Sequence, residues 1–424
     1  MSERADSRKA TRREPRVGVA KGSGISGSPD EFDDASLDEV MTLVADAVSR
    51  ALSLTDLVGG KEVFVKPNLV RPNLPNCPAV ITDPRVILAV ALLARKAGAA
   101  HILVGDNPGY GVASRDALRS SKVEALLAEH DLEACYLDEE PMVACESPTA
   151  LLLRRTLLPE AIVDCDVLIN VPKMKTHVQT MVSLGIKNLH GLVPDGERLP
   201  FHRQDVHQKL VDILSYRRPD LTVVDGIWAV EGQAPLFGSA LEGFNVIVAG
   251  QDVVAVDAVT AAVMGIAPEE VPMIQIAGAR GLGAVRLEEI EIVGPRIEDV
   301  RRHFRRAIIS SAGHFPTVTC IEGGACSGCL SNLRHSLDKL HRDGSLGEPC
   351  PITVYVGVPL PGADPMETWE GDLWLFGDCS AALPLAPRAG PGAVRRVPGC
   401  PPHILDFAKL FEATYLGRAN GGPG

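Results

Sequence analysis

Aromatic residues are scarce in this 424-residue chain, at 4%, so platforms for stacking bases are not expected. Positive charge is in deficit too. The formal net charge of −12 argues against nucleic acid as a partner. No apolar run approaches the ~18 residues needed to span a bilayer, so no membrane span is expected. The N-terminal residues are basic and include Arg12-Arg13, yet no apolar segment follows them, because Val17–Ala20 runs straight into Lys-Gly-Ser-Gly. A secretion signal is therefore not expected, and residues 1–15 read as a disordered basic arm. Internal repeats are absent as well. What remains is 46% hydrophobic and 23% charged, the balance of a globular protein with length for two or three domains. Ten cysteines without an export signal suit a reducing cytoplasm, with thiolates kept for metal.

Short Val/Ile/Leu-rich runs alternate with longer amphipathic stretches. The strands expected first are Arg16–Ala20, Glu62–Lys66, His101–Gly105, Val167–Val171, Leu221–Val224 and Asn245–Ala249. Helices are expected at Leu37–Ala51, Pro84–Ala97, Ser114–Glu129, Val206–Tyr216 and Val253–Met264. This alternation predicts an α/β fold around a largely parallel sheet, over residues 16–298. Residues 299–312, rich in arginine, read as a connecting helix. A smaller α/β domain follows at 313–415, with strands Val318–Glu322, Ile352–Val358 and Leu373–Phe376 and helices near Ser331–Leu340 and Pro402–Leu410. Residues 359–365 and 384–393 read as loops, and 416–424 as a flexible tail.

The most informative residues are four cysteines in the smaller domain. Cys326 and Cys329 stand in Gly-Ala-Cys-Ser-Gly-Cys, Cys379 in Phe-Gly-Asp-Cys, and Cys400 in Val-Pro-Gly-Cys-Pro-Pro-His. A Cys-x-x-Cys pair clamps one metal centre from a single loop, and two distant cysteines complete a four-thiolate site. Four thiolates suit zinc or a [4Fe–4S] cluster. The absence of a second Cys-x-x-Cys knuckle favours iron. Cys77, Cys135, Cys145 and Cys165 have no mutual ligand spacing. Cys320, close before Cys326, is a reserve ligand, and Cys350 is unassigned.

In order and context, Gly-x-x-Cys-x-Gly-Cys after a strand, then Gly-x-Cys, then Pro-Gly-Cys-Pro-Pro-His resembles the proximal-cluster domain of nickel–iron hydrogenase small subunits. The resemblance covers roughly residues 315–412. It implies that Cys326, Cys329, Cys379 and Cys400 hold one [4Fe–4S] cluster on a flavodoxin-like sheet. It does not imply hydrogenase activity, because the paired Cys-x-x-Cys motifs of the large subunit are missing. Association with another redox subunit is a corollary.

The larger domain carries a second constellation. A buried strand ends at Pro172, and Lys173, Lys175 and His177 follow at period two, on one face of an extended chain. Thr176 reads as an N-cap. From there His177, Thr180, Leu184, Lys187, Asn188 and Gly191 fall at helical spacing. No acidic residue occurs between Val167 and Pro194, so Lys173, Lys175 and Lys187 around His177 predict an anion pocket. Lys66 and Asn68 end another strand, where parallel sheets line their ligand crevice. Asp225 ends a third, with Glu231 nearby, and these two could bind a metal or orient a lysine. His177 and Lys187 are the candidate catalytic acid–base pair; Lys66, Asn68, Lys173, Lys175, Asn188 and Asp225 are candidate substrate-binding residues.

These blocks, Lys66–Asn68, then Pro172–His177 with Lys187–Gly191, then Asp225–Gly226, resemble in that order the prokaryotic family of domain of unknown function 362. The resemblance spans about residues 60–285 and implies an α/β fold associated with iron–sulfur centres. The ferredoxin-like Cys-x-x-Cys-x-x-Cys module of many members is absent, and the hydrogenase-like tail takes its place. A literal Gly-x-Gly-x-x-Gly at Gly22–Gly27 is not read as a dinucleotide site, since no helix opens at once after it.

Together these readings predict a cytoplasmic [4Fe–4S] protein with a redox or electron-transfer role, coupled to an anionic small molecule or a redox partner protein. A metallocofactor assembly or maturation factor, and a non-redox enzyme with a structural cluster, are the alternatives.

Overall fold

The computed structural model describes residues 14–70, 78–109, 111–197, 205–235, 237–308, 310, 315, 317–346, 351–362, 364–386 and 392–417. The expectations for the arm before residue 14, for Cys77 and Cys350, and for the tail from residue 418 lie outside the described residues. The described residues fall into two compact units, one of 14–197 with Val206–Ala307 and the other of Asp205 with the residues from Ile308 on.

The strands of the first unit are β1 (Arg16–Lys21), β2 (Glu62–Lys66), β3 (His101–Gly105), β4 (Glu133–Cys135), β5 (Met142–Glu146), β6 (Arg155–Pro159), β7 (Val167–Asn170), β8 (Lys173–His177), β9 (Met181–Ser183), β10 (Leu221–Gln233), β11 (Phe237–Leu241), β12 (Val246–Gly250) and β13 (Glu291–Val293). The main sheet runs β13-β1-β12-β10-β7-β2-β3-β4. Within it only β12 is antiparallel to its neighbours. A largely parallel α/β core is therefore what the chain builds. β7 and β12 are buried along their whole length, as strands covered on both faces must be.

Helices cover this sheet for legible reasons. Asp33 and Asp83 each accept a backbone N–H at the start of the helices Asp34–Ala51 and Pro84–Lys96, and Pro84 opens the second. Val44, Val48, Val86 and Val90 then join the core beneath. The helix Val253–Val263 is apolar on nearly every side and wholly buried. The expected helix at 114–129 is broken at Lys122, whose φ is 63°, into Ser114–Ser120 and Val123–Glu129.

Chain order fixes where a ligand crevice belongs. From β2 the strands step outward to β3 and β4, and the chain then returns to lay β7 and β10 on the other side of β2. That reversal is a topological switch point, and such sheets bind ligands outside the carboxyl ends of the strands there. Lys66 and Asn170, the last residues of β2 and β7, are direct partners across it.

The connecting helix expected at 299–312 does not form over 301–308, which has no helical structure. Its backbone is claimed by other partners: Arg302 and Phe304 donate to the Val263 and Met264 carbonyls, and Gly232 donates to that of Arg305. Asp225 does not end its strand, because β10 runs on to Gln233, and Glu231 on it grips Arg305 through both the guanidinium at 2.6 Å and the backbone N–H at 2.9 Å.

In the second unit β14 (Val318–Glu322), β15 (Ile352–Val356), β16 (Asp372–Phe376) and β17 (Val394–Val397) form a parallel sheet in chain order. A flavodoxin-like sheet reverses its order; among the described residues this one does not. Its two described long helices, Ser327–Arg342 and Asp406–Tyr415, contribute to one core, where Leu333, Leu337 and Phe407 meet Val354, Trp374 and Phe376. The opposite face, with Tyr355, Leu373 and Leu375, is covered by Trp369 and Met366 of the loop before β16. Phe407 is fully buried, edge-on to Trp374 at 5.3 Å. Phe407→Ala should therefore cost about 3–5 kcal/mol, read as a shift in the denaturant midpoint of the second unit.

Candidate functional site

The switch point is filled by a polar network. Lys66, fully buried, reaches Asp106 Oδ1 at 2.6 Å. Asp106 Oδ2 accepts the Leu69 N–H. Asn188 donates to Asn170 Oδ1 at 2.8 Å and to the Pro67 carbonyl at 3.2 Å, and accepts from Asn68 at 2.9 Å. Lys175 donates to Asn68 Oδ1 at 2.6 Å and to the Val80 carbonyl at 2.9 Å. Gly191 closes over the ion pair: a methyl built there would stand 2.7 Å from both Lys66 Nζ and Asp106 Oδ1. Four predicted residues, Lys66, Asn68, Lys175 and Asn188, are thus brought together.

Beside them lies a chain of buried charges. Lys173 and Asp225 are register partners on β8 and β10, joined at 2.8 Å with neither side chain exposed. Asp225 also accepts the N–H groups of Asp83 and Ile227. Asp83 in turn holds Arg85 in a two-point bond, at 3.0 and 2.6 Å. Burial raises the pKa of Asp225; Lys173 opposes the shift and the neighbouring Asp83 adds to it. Two cations and two anions balance here, so Asp225 serves as the counter-ion of Lys173.

The expected helix face from His177 to Gly191 does not exist. Residues Lys173–His177 and Met181–Ser183 form a hairpin, with Thr176 opposite Val182. Thr176 donates its hydroxyl to the Gly232 carbonyl and caps nothing. The β-branched Thr176, Val178, Thr180 and Val182 favour strand over helix, and the helix begins only at Gly185. His177 closes the hairpin turn, its Nδ1 accepting the N–H groups of Gln179 and Thr180 at 3.0 and 3.3 Å. Lys187 lies beyond the hairpin, its amine 3.3 Å from His190 Nδ1. The proposed pairing of His177 with Lys187 on one helix face is thereby corrected. So is the idea that the lysines lack acids: Asp106 and Asp225 arrive from distant strands.

Sequence reasoning missed Asp106, Asp83, Arg85 and Asn170. Two signals were available. Asp106 follows β3 as directly as Lys66 ends β2, and Asp83 precedes a helix-opening proline.

In the second unit the four cysteines stand near the carboxyl ends of β14, β16 and β17. Cys326 is the N-cap of Ser327–Arg342 and Cys329 sits in its first turn; Cys379 lies in the turn Asp378–Ala382, and Cys400 follows β17. Cys329 is buried, whereas Cys326 and Cys379 are exposed. Hydrogen bonding from the Cys329 thiol, helped by the N–H groups of Cys329 and Gly328, lowers Cys326 to about 5. Cys329 is pushed up by that same bond, by burial, and by the fields of Cys326, Cys400 and Cys379. A residue with a side chain at Gly377, where φ is +86°, would meet Cys329 Sγ at 3.1 Å. Among the described residues no three His, Cys, Asp or Glu side chains come close enough to share a single ion. In donor chemistry the set fits a cluster: four soft thiols, one with a lowered pKa at the start of a helix. Cys320 packs against the core of this unit, and Cys165 lies against Arg217.

An α/β protein with a buried polar network at its switch point is the class these features define. The chain belongs to the family of Domain of unknown function (DUF362), whose pattern matches residues 63–262. The thylakoid-associated protein sll1697 of Synechocystis sp. is 32% identical over 235 residues, 54% of this chain and 71% of that protein. The family match contains every site residue of the first unit and none of the four cysteines. Among the described residues no helix is long and apolar enough to cross a membrane.

Breaking one side of a buried ion pair leaves the other uncompensated, at about 3–5 kcal/mol. Lys173→Met should cost that much in chemical denaturation, and Lys173→Met with Asp225→Asn should recover part of it, because no charge is left alone and the amide oxygen still accepts a backbone N–H. No recovery in the double variant would mean that the pair does more than neutralise itself.

Proposed function

We propose that this is an iron–sulfur protein in which Cys326, Cys329, Cys379 and Cys400 hold one [4Fe–4S] cluster. The observation that carries the reading is that Cys326 and Cys329 at a helix start, Cys379 after β16 and Cys400 after β17 all stand at the carboxyl end of one parallel sheet, where a side chain at Gly377 would meet both Cys329 Sγ at 3.1 Å and the Gly399 carbonyl at 3.6 Å. When bound, such a cluster supplies one-electron transfer. The chain's own part is to ionise Cys326 at the start of a helix and to keep Cys329 away from water. Cys326 and Cys379 stay exposed, which leaves that end open to a redox partner protein.

The switch point of the first unit is the second half of the proposal: a site for an anionic small molecule. Lys66 and Lys173 are neutralised, so they position neighbours and do not attract the ligand by net charge. Asn68 and Lys187 are only half-buried, and they are the side chains proposed to meet it. His177 serves the turn.

Protein purified without oxygen should carry about four irons and four sulfides per chain. Cys400→Ser should lose or distort that content, while Cys165→Ser should leave it unchanged. About one zinc per chain without sulfide would sink the cluster. Phosphate or a small carboxylate should raise the melting temperature, and the gain should shrink in Lys187→Ala. Equal gains in both proteins would remove the anion site and leave the cluster reading standing.

A further inference from the structure

The helix Val253–Val263 carries one charged residue, Asp257, and buries it completely. Its Oδ1 accepts the Gly185 N–H at 2.7 Å and its Oδ2 the Ile186 N–H at 2.9 Å. These are the first N–H groups of the helix Gly185–Asn188, whose own N-cap, Leu184, offers no side-chain bond. Close approach requires a glycine here. A Cβ at position 185 would stand 2.7 Å from Asp257 Oδ1 and from Val253 Cγ2, and 3.2 Å from Thr222 Cγ2. Asp257 takes no part in the switch-point network. The four-residue helix that it grips, however, carries Lys187 and Asn188.

The charges around Asp257 are few. Asp252, at the head of the same helix, is the one whose field reaches it. On the other elements packed on that helix, β10 carries the buried acids Asp225 and Glu231, each paired with a cation, Lys173 and Arg305, and the remaining charged residues are exposed: Arg16 and Lys21 of β1, and the acids Glu269, Glu270, Glu288, Glu289, Glu298 and Asp299. Lys187 is the cation of the gripped helix itself. Burial raises the Asp257 carboxyl to about 7, against the pull of the two N–H groups and with a smaller push from Asp252.

We propose that Asp257 is a proton-operated clamp on the segment that carries Lys187 and Asn188. Ionised, it accepts with both oxygens and fixes the segment across the switch point. Protonated by solvent, one oxygen bears a hydrogen, and that hydrogen faces an N–H donor. One of the two grips is then given up.

The sign of the linkage follows from the raised value. A carboxyl that binds its proton more tightly folded than unfolded favours the native state at low pH. That contribution declines as pH rises from about 4 to about 7. Closing the clamp therefore costs global stability while it orders the site.

The clamp regulates the anion site proposed above and rests on that reading for its purpose, yet its test needs neither ligand nor cluster. Protection factors of the Gly185 and Ile186 amides, measured by hydrogen exchange from about pH 5.5 to 8.5, should rise with a midpoint near pH 7. Carbon-detected NMR of the aspartate carboxyls should show one group titrating with the same midpoint. Asp257→Asn should abolish both. Amide protection that does not change with pH, or no carboxyl titrating in this range, would overturn the clamp, and the wild-type titration alone decides this if Asp257→Asn fails to fold. A missing phosphate-induced thermal shift with the amide titration intact would remove the anion site only.

Discussion

The first unit depends on the pairing of charges that water never reaches. Lys173 and Asp225 meet with neither side chain exposed, and Lys66 meets Asp106 under nearly the same conditions. A buried ion without its partner costs several kcal/mol, whereas the pair itself adds little net stability. The pairs act as a specification. β8 can sit on β10 in only one register without leaving a charge alone, and β2 is bound to the segment after β3. Asp83 and Arg85 extend the same rule to the helix that follows the switch point.

How much of this was legible in the sequence follows from where each signal resides. Lys66 and Asn68 could be placed because an apolar strand ends and polar residues begin at once. The alternation of Lys173, Lys175 and His177 was legible as an extended chain for the same local reason. The hairpin was not. His177, Thr180, Leu184 and Lys187 fall at helical spacing, but β-branched Thr176 and Val182 pair with each other across a turn. Counter-ions were invisible for a different reason: Asp106 and Asp225 are far from the lysines in sequence, and only folding brings them close. The arginine-rich stretch after Asp299 looked like a helix because nothing local shows that Val263, Met264 and Gly232 claim its backbone.

The two units use polar chemistry in opposite ways. At the switch point, amides and ion pairs satisfy one another, and the pull on any ligand comes from a few half-buried groups. In the second unit two thiols act on each other: the bond from the Cys329 thiol lowers the pKa of Cys326, and that bond together with burial raises that of Cys329.

The grip of Glu231 on Arg305 bears on how the first unit could be isolated. A chain severed after residue 298, where the strand-and-helix pattern of the sequence stops, would strip away Arg305 and leave the Glu231 carboxylate buried without its cation. It would also remove the carbonyl that receives the Gly232 N–H. Both losses fall on β10, the strand that bears Asp225. Residues 301–307 are therefore the closing selvedge of the first unit, not slack between two units, and a fragment that keeps them keeps the β10 edge intact.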